Sequence, residues 1–208
     1  MRFHSGAVPE DPDFQPEAEG WRSIREPGPW MMQLIALPAA IILLLVSGAL
    51  LYLVLPNQFS LDRQLTGGLP PGWLVAILVL VIPVHELIHA VLHPGWGFSS
   101  NSIIGLWSSR LLFYAHYEGA MSRNRFLLVF AGPYLVLSLL PVAAIAALRV
   151  LDASLGALAA LALLSLWAGA LASGDFVGFW LILSQIPNGA LVRNKGWKTY
   201  WKPPAIHS

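Results

Sequence analysis

Long, uninterrupted runs of hydrophobic residues are the main pattern along this chain. No Lys, Arg, Asp or Glu lies between Met31 and Gln58, so a helix there has no polar face to turn toward water. About 20 apolar residues are enough for a helix to cross the hydrocarbon core of a bilayer. The pattern predicts an all-α membrane protein with about four transmembrane helices, at residues 31–55, 73–93, 126–148 and 155–186. The last run is long for one span, and we expect it to be long, tilted or broken near Gly174.

A shorter pattern lies between the second and third hydrophobic runs. Residues 102–107 and 111–117 are rich in β-branched, leucine and aromatic side chains, and Ser108-Ser109-Arg110 separates them. Such runs around a polar turn are typical of a β-hairpin. We therefore expect a small hairpin at residues 102–117, near the membrane surface.

Residues 1–29 differ sharply from the rest of the chain. They hold five prolines and six acidic residues, a composition typical of disorder. The apolar run that follows starts too late and is too long for a signal peptide. The sequence predicts a disordered, proline-rich, acidic tail at residues 1–29 and a single transmembrane domain at residues 30–208.

Charge and composition indicate where this chain resides and which partners and chemistry it can have. The chain has 208 residues, of which 56% are hydrophobic and 11% charged, whereas an average soluble domain has about 25% charged residues. Cysteine is absent, which excludes disulfides and thiolate chemistry. With a net charge of +1 and no basic patch outside the membrane flanks, no nucleic-acid partner is expected. In the four-span arrangement most Lys and Arg residues flank the same side of the membrane, and the positive-inside rule predicts a multi-pass protein with both termini in the cytoplasm.

The second hydrophobic run contains the sequence His85-Glu86-Leu87-Ile88-His89. Residues four apart share one face of a helix, so His85 and His89 can offer two imidazoles to one metal ion. Glu86 lies one step round the helix, where it can act as general base on a zinc-activated water. Ionisable groups inside a membrane are costly and usually functional. Metal ligation is favoured over the alternative, a structural cluster of hydrogen-bonded side chains.

A catalytic zinc usually has a third protein ligand. His93 lies two turns from His85, too far along a straight helix to reach the same ion, and it precedes Pro94 at an expected helix end. Asp175 is the only other acidic residue inside a predicted span, at a depth similar to that of the two motif histidines. It is therefore the candidate ligand, and the alternative is a carboxylate that bonds to neighbouring helices or mediates proton movement.

Three further features lie near the expected depth or face of this site. Pro83 can kink the motif helix, although a tolerated membrane proline is equally consistent. Gly132-Pro133 can pack the site or admit a substrate, with ordinary helix packing as the alternative. His116 shares a strand face with Tyr114 and Glu118, and it is a candidate contact for a substrate or an oxyanion, or else a surface histidine.

Several motifs together resemble a known family. HELIHA in the second run, YAHYEGAMSRNRF and FAGPY at the third, and SGDF in the fourth resemble the site-2-protease class of intramembrane zinc metalloproteases. Within that class, they are similar to the small bacterial membrane proteins named the Putative zincin peptidase family. The resemblance covers roughly residues 73–203. It implies a bacterial inner (cytoplasmic) membrane protein in which Zn²⁺ is bound by His85, His89 and Asp175, with Glu86 as the catalytic base.

The chain also departs from the class. Val136 stands where the class often has Asn after the Gly-Pro pair, and Phe176 follows Asp175 where Gly is common. The chain therefore matches the class more closely at the zinc site than at the residues that handle the substrate.

The leading hypothesis is zinc-dependent hydrolysis of peptide bonds in a membrane-anchored protein or peptide, within or beside the lipid bilayer. One alternative is transport of metal ions or protons, since intramembrane His, Glu and Asp suit that role too. Another is a non-catalytic membrane scaffold that keeps a structural metal. The sequence leaves the substrate, the cleavage position and the oligomeric state open.

Overall fold

The computed structural model describes residues 1–55 and 70–203. The helices, in chain order, are α1 (Pro29–Val54), α2 (Pro71–Leu92), α3 (Arg123–Tyr134), α4 (Leu140–Val150), α5 (Leu155–Leu171) and α6 (Ser173–Gln185). A π-helical turn at Leu135–Leu139 joins α3 to α4.

Within the described residues, three helices are long and apolar enough to cross a membrane: Pro29–Val54, Pro71–Leu92 and the continuous stretch Arg123–Val150. They lie where the hydrophobic runs predict spans. The fourth predicted span consists of two helices, α5 and α6, bent by 49° at Ala172, and counting this pair as one span gives four. The break expected near Gly174 is confirmed.

Local chemistry explains two of these boundaries. The Ser154 side chain accepts a hydrogen bond from the backbone N–H of Ala157 at 3.3 Å, which satisfies one of the unpaired donors at the start of α5. Pro133 has no backbone N–H to donate within α3, and the π-helical turn Leu135–Leu139 begins two residues later. Such wide turns accompany interruptions of the regular hydrogen-bond ladder.

The described residues also contain β structure beyond the predicted hairpin. The strands are β1 (Arg2–Ser5), β2 (Arg22–Ser23), β3 (Ser102–Trp107), β4 (Leu112–Tyr117), β5 (Met121–Ser122), β6 (Leu191–Lys195) and β7 (Lys198–Lys202). They form one sheet in the order β1-β3-β4 and another in the order β2-β7-β6-β5. The all-α class is thus too narrow for this mostly helical chain.

The predicted hairpin at residues 102–117 is confirmed. Strands β3 and β4 pair antiparallel with Ser102 opposite Tyr117 and Trp107 opposite Leu112. A short 3₁₀ turn at Ser108–Arg110 connects them, at the polar residues where the sequence predicts the turn.

Residues 1–29 differ from the predicted disordered tail, because they have a defined path in the structure. Strand β1 pairs in parallel with β3, and β2 pairs antiparallel with β7. Phe14 is only 1% exposed, with its ring edge-on to those of Trp21 and Tyr200 at centroid distances of 5.5 and 6.0 Å. The Glu26 carboxylate accepts bonds from the Thr199 backbone N–H (2.6 Å) and hydroxyl (3.0 Å). Aromatic burial and strand pairing offset the ordering cost that the acidic, proline-rich composition suggests.

The described chain divides into two compact units. The first unit comprises Met1–Ile35, Glu86–Gly132 and residues 175–203. Both sheets belong to it. Its core is apolar and contains Met121, Phe126, Leu127, Val129, Ile182, Ile186, Ala190 and Val192.

The second unit comprises the described parts of Ala36–His85 together with Pro133–Gly174. Its apolar core contains Leu51, Leu55, Val142, Ile145, Leu158 and Ala162. Three fully buried serines also meet in this unit: the Ser138 hydroxyl donates to the Ser165 carbonyl at 2.8 Å and lies 3.1 Å from the Ser47 hydroxyl. Small polar residues of this kind join closely packed membrane helices.

Candidate metal centre

Helix α2 carries three ionisable side chains in an otherwise apolar sequence. His85 and His89 are each 6% exposed, and Glu86 is 9% exposed. The two histidines lie one helical turn apart on the same face, as their spacing predicts. Glu86 is the neighbour of both, one residue after His85 and three before His89.

Asp175 comes from the other end of the sequence. It lies in the first turn of α6, just after the bend that separates α6 from α5. The start of a helix stabilises negative charge, because the unpaired backbone N–H groups there give it a partial positive charge. The bend at Ala172 thus places a carboxylate at a helix N-terminus within a long apolar segment.

The three candidate ligands converge. Nε2 of His89 lies 3.2 Å from Oδ1 of Asp175, and one ligand atom from each of His85, His89 and Asp175 lies within 4.8 Å of the others. Atoms at this separation can share one metal ion. The structure therefore brings together the three residues that the sequence nominates as ligands.

Hydrogen bonding fits His89 for this role. Nδ1 of His89 lies 2.8 Å from the backbone carbonyl oxygen of Val129. A carbonyl can only accept, so Nδ1 carries the proton, and in the neutral ring Nε2 keeps a lone pair. Metal-binding histidines are usually held in this way, by an acceptor that bonds to the ring nitrogen not bound to the metal. Two imidazole nitrogens and one carboxylate oxygen also match the donor set of catalytic zinc, which leaves one position open.

The end of α2 is fixed by two contacts that the sequence analysis did not identify. The Arg125 guanidinium donates through Nε to the carbonyl of Leu92 and through Nη2 to the carbonyl of His93, both at 2.9 Å. The His93 ring shares a 2.6 Å hydrogen bond with the Ser102 hydroxyl on β3. His93 thus follows the end of the helix, as its position before Pro94 predicts.

His116 and Glu118, which the sequence analysis places on the hairpin, have partners other than the candidate metal ligands. His116 is 4% exposed and lies opposite Ile103 in the sheet. Burial and the Arg2 guanidinium lower the pKa of His116 to about 4, so the ring is neutral at physiological pH. Glu118 pairs with Arg2. Within the described residues the candidate metal group does not include His116, and its suggested contact with a substrate or an oxyanion stays a prediction.

Comparison with known proteins supports the same chemistry. Residues 78–191, more than half of the chain, match the family described as Putative zincin peptidase. The chain belongs to this family. The matched segment contains His85, Glu86, His89 and Asp175. No curated protein and no solved structure matched the chain.

Proposed function

We propose that this protein is an intramembrane zinc metallopeptidase of the site-2-protease type, which hydrolyses peptide bonds of membrane-anchored substrates. The observation that carries the proposal is the convergence of His85, His89 and Asp175 within 4.8 Å. Membership of the zincin peptidase family supports hydrolysis over other uses of a metal ion. The apolar character of α2 supports a site within the bilayer.

Each residue has a distinct role in this proposal. His85, His89 and Asp175 would hold zinc, and a zinc ion bound there would supply polarisation of a scissile carbonyl and a lowered pKa of water. The Glu86 carboxylate takes the proton of the attacking water and passes it to the leaving amine, as a general base and then a general acid. The Val129 carbonyl holds the His89 ring in the ligating tautomer.

The membrane setting restricts the substrate. A helical substrate segment hides its carbonyls in its own hydrogen bonds, so the segment must unwind before it can be cut. The distribution of Lys and Arg favours an orientation with both termini in the cytoplasm. We therefore expect cleavage of single membrane-anchored segments in the inner membrane of a bacterium, near its cytoplasmic face.

The test uses purified full-length protein in proteoliposomes with a fluorescent reporter that carries one transmembrane segment. Glu86→Gln should keep zinc at the wild-type stoichiometry and reduce cleavage by at least about 100-fold, because it removes the general base. Glu118→Gln, which changes a carboxylate paired with Arg2, is the matched control and should cleave normally. Cleavage by Glu86→Gln at the wild-type rate would refute the base assignment. Zinc flux into the liposomes without cleavage would favour a transporter instead.

A further inference from the structure

The Val129 carbonyl that binds His89 has an unusual position in its own helix. In a regular α-helix the carbonyl of residue 129 accepts from the backbone N–H of residue 133. Residue 133 is proline, which has no N–H. The usual helical donor for Val129 is thus missing by covalent structure, and its carbonyl oxygen lies 2.8 Å from Nδ1 of His89.

The residue before this proline controls how closely the two helices approach. A Cβ atom at Gly132 would lie 2.2 Å from Cδ1 of Leu92 and 3.4 Å from Cγ2 of Ile88. A side chain at position 132 would therefore require the Leu92 side chain to move, in the turn of α2 that follows His89. Glycine leaves this space to Leu92, so that α3 and α2 approach closely while His89 contacts the Val129 carbonyl.

We propose that Gly132 and Pro133 are positioning residues for the metal ligand His89. Gly132 allows α3 to approach α2, and Pro133 leaves the Val129 carbonyl free to accept from Nδ1–H of His89. That bond fixes the tautomer in which Nε2 faces Asp175. The inference rests on the proposed zinc site and adds the reason for a Gly-Pro pair at this place.

A second proline offers a matched control. Pro141 is buried in α4, in the same helical stretch Arg123–Val150, two turns beyond Pro133. Pro141→Ala restores a backbone N–H by the same chemical change as Pro133→Ala. An effect of proline on helix stability alone would appear in both variants.

The experiment measures zinc affinity by chelator competition on the full-length protein in lipid nanodiscs. Pro133→Ala and Pro133→Gly should each weaken zinc binding by about 10- to 100-fold, the usual effect of losing a hydrogen-bond partner of a metal ligand. Pro141→Ala should bind zinc like the wild type. Wild-type affinity in a folded Pro133→Ala protein would overturn the proposal, and so would an equal loss in Pro141→Ala.

A measurement on the wild type makes the test independent of how the variants fold. Nitrogen NMR of histidine-labelled, zinc-loaded protein should show a protonated, hydrogen-bonded Nδ1 at His89, assigned with His89→Gln. A His89 ring protonated at Nε2 instead would contradict the proposal. A wild type that binds no zinc at all would refute the proposed function rather than this inference.

Discussion

Arg125 on α3 donates a hydrogen bond through Nε to the backbone carbonyl of Leu92, the last residue of α2, at 2.9 Å. The same guanidinium binds the carbonyl of His93. The last carbonyls of a helix have no partner within it, so Arg125 satisfies two groups at the end of the helix that carries His89. The contact lies one turn of α3 away from Val129, which binds the His89 ring.

Arg125→Gln should therefore lower the free energy of unfolding by about 1.5–3 kcal/mol, the usual contribution of a hydrogen bond from a charged donor. It should also weaken zinc binding, because the end of α2 would lose this contact with α3. Denaturant unfolding in detergent and chelator competition measure the two effects. Lys198→Gln, an exposed cation on β7, is the control and should change stability by no more than about 0.5 kcal/mol. Equal stability of Arg125→Gln and the wild type would contradict this role.

The path of residues 1–29 gives a second prediction. Phe14 is buried, and the Arg193 guanidinium lies 4.0 Å from its ring centroid, in the same aromatic cluster as Trp21 and Tyr200. Phe14→Ala should destabilise the first unit by about 3–5 kcal/mol and make residues 1–29 sensitive to limited proteolysis. Phe3→Ala removes a ring that is 73% exposed and should cost less than about 0.5 kcal/mol. Rapid cleavage of this segment in the wild type would instead support the disordered tail that the composition suggests.

The buried histidine of the hairpin predicts a pH dependence. The pKa of His116 is lowered from 6.5 to about 4, so between these pH values the unfolded chain binds a proton that the folded chain excludes. Stability therefore rises with pH across this range. The contribution of His116 is complete above pH 6.5 and is lost as the pH falls toward 4.

His116→Gln should reduce this pH dependence, because glutamine does not titrate. The measurement is the free energy of unfolding across the same pH range for both proteins. An identical slope in the variant would show that other groups cause the acid sensitivity.

Much of the membrane architecture could be predicted because the information is local. A run of apolar residues such as Met31–Leu55 needs no knowledge of the rest of the chain to be recognised as a span. The hairpin at residues 102–117 could be predicted for the same reason. The pairing of β1 with β3 and of β2 with β7 joins segments far apart in sequence, and nothing in the acidic composition of residues 1–29 indicates those partners.

The candidate site, too, could be predicted only in part from the sequence. The spacing of His85, Glu86 and His89 is a local pattern, and Asp175 could be nominated because it is the only other acid within a predicted span. The role of Val129 could not be predicted, because it depends on a backbone carbonyl rather than a side chain. Its one trace in the sequence is Pro133, four residues later. In the sequence, Arg125 can be recognised only as one of several positively charged residues that flank the third span.

The central claim is that His85, His89 and Asp175 bind one zinc ion with an open position. X-ray absorption at the zinc edge, together with metal analysis, tests it most directly on purified wild type and Asp175→Ala. The control is Asp152→Asn, which changes an exposed carboxylate between α4 and α5. We expect one zinc per chain in the wild type and the control, and strongly reduced zinc in Asp175→Ala. The zinc of the wild type should have imidazole nitrogens at about 2.0–2.1 Å and a carboxylate oxygen at about 2.0–2.2 Å. Wild-type zinc content and an unchanged ligand shell in Asp175→Ala would contradict the claim.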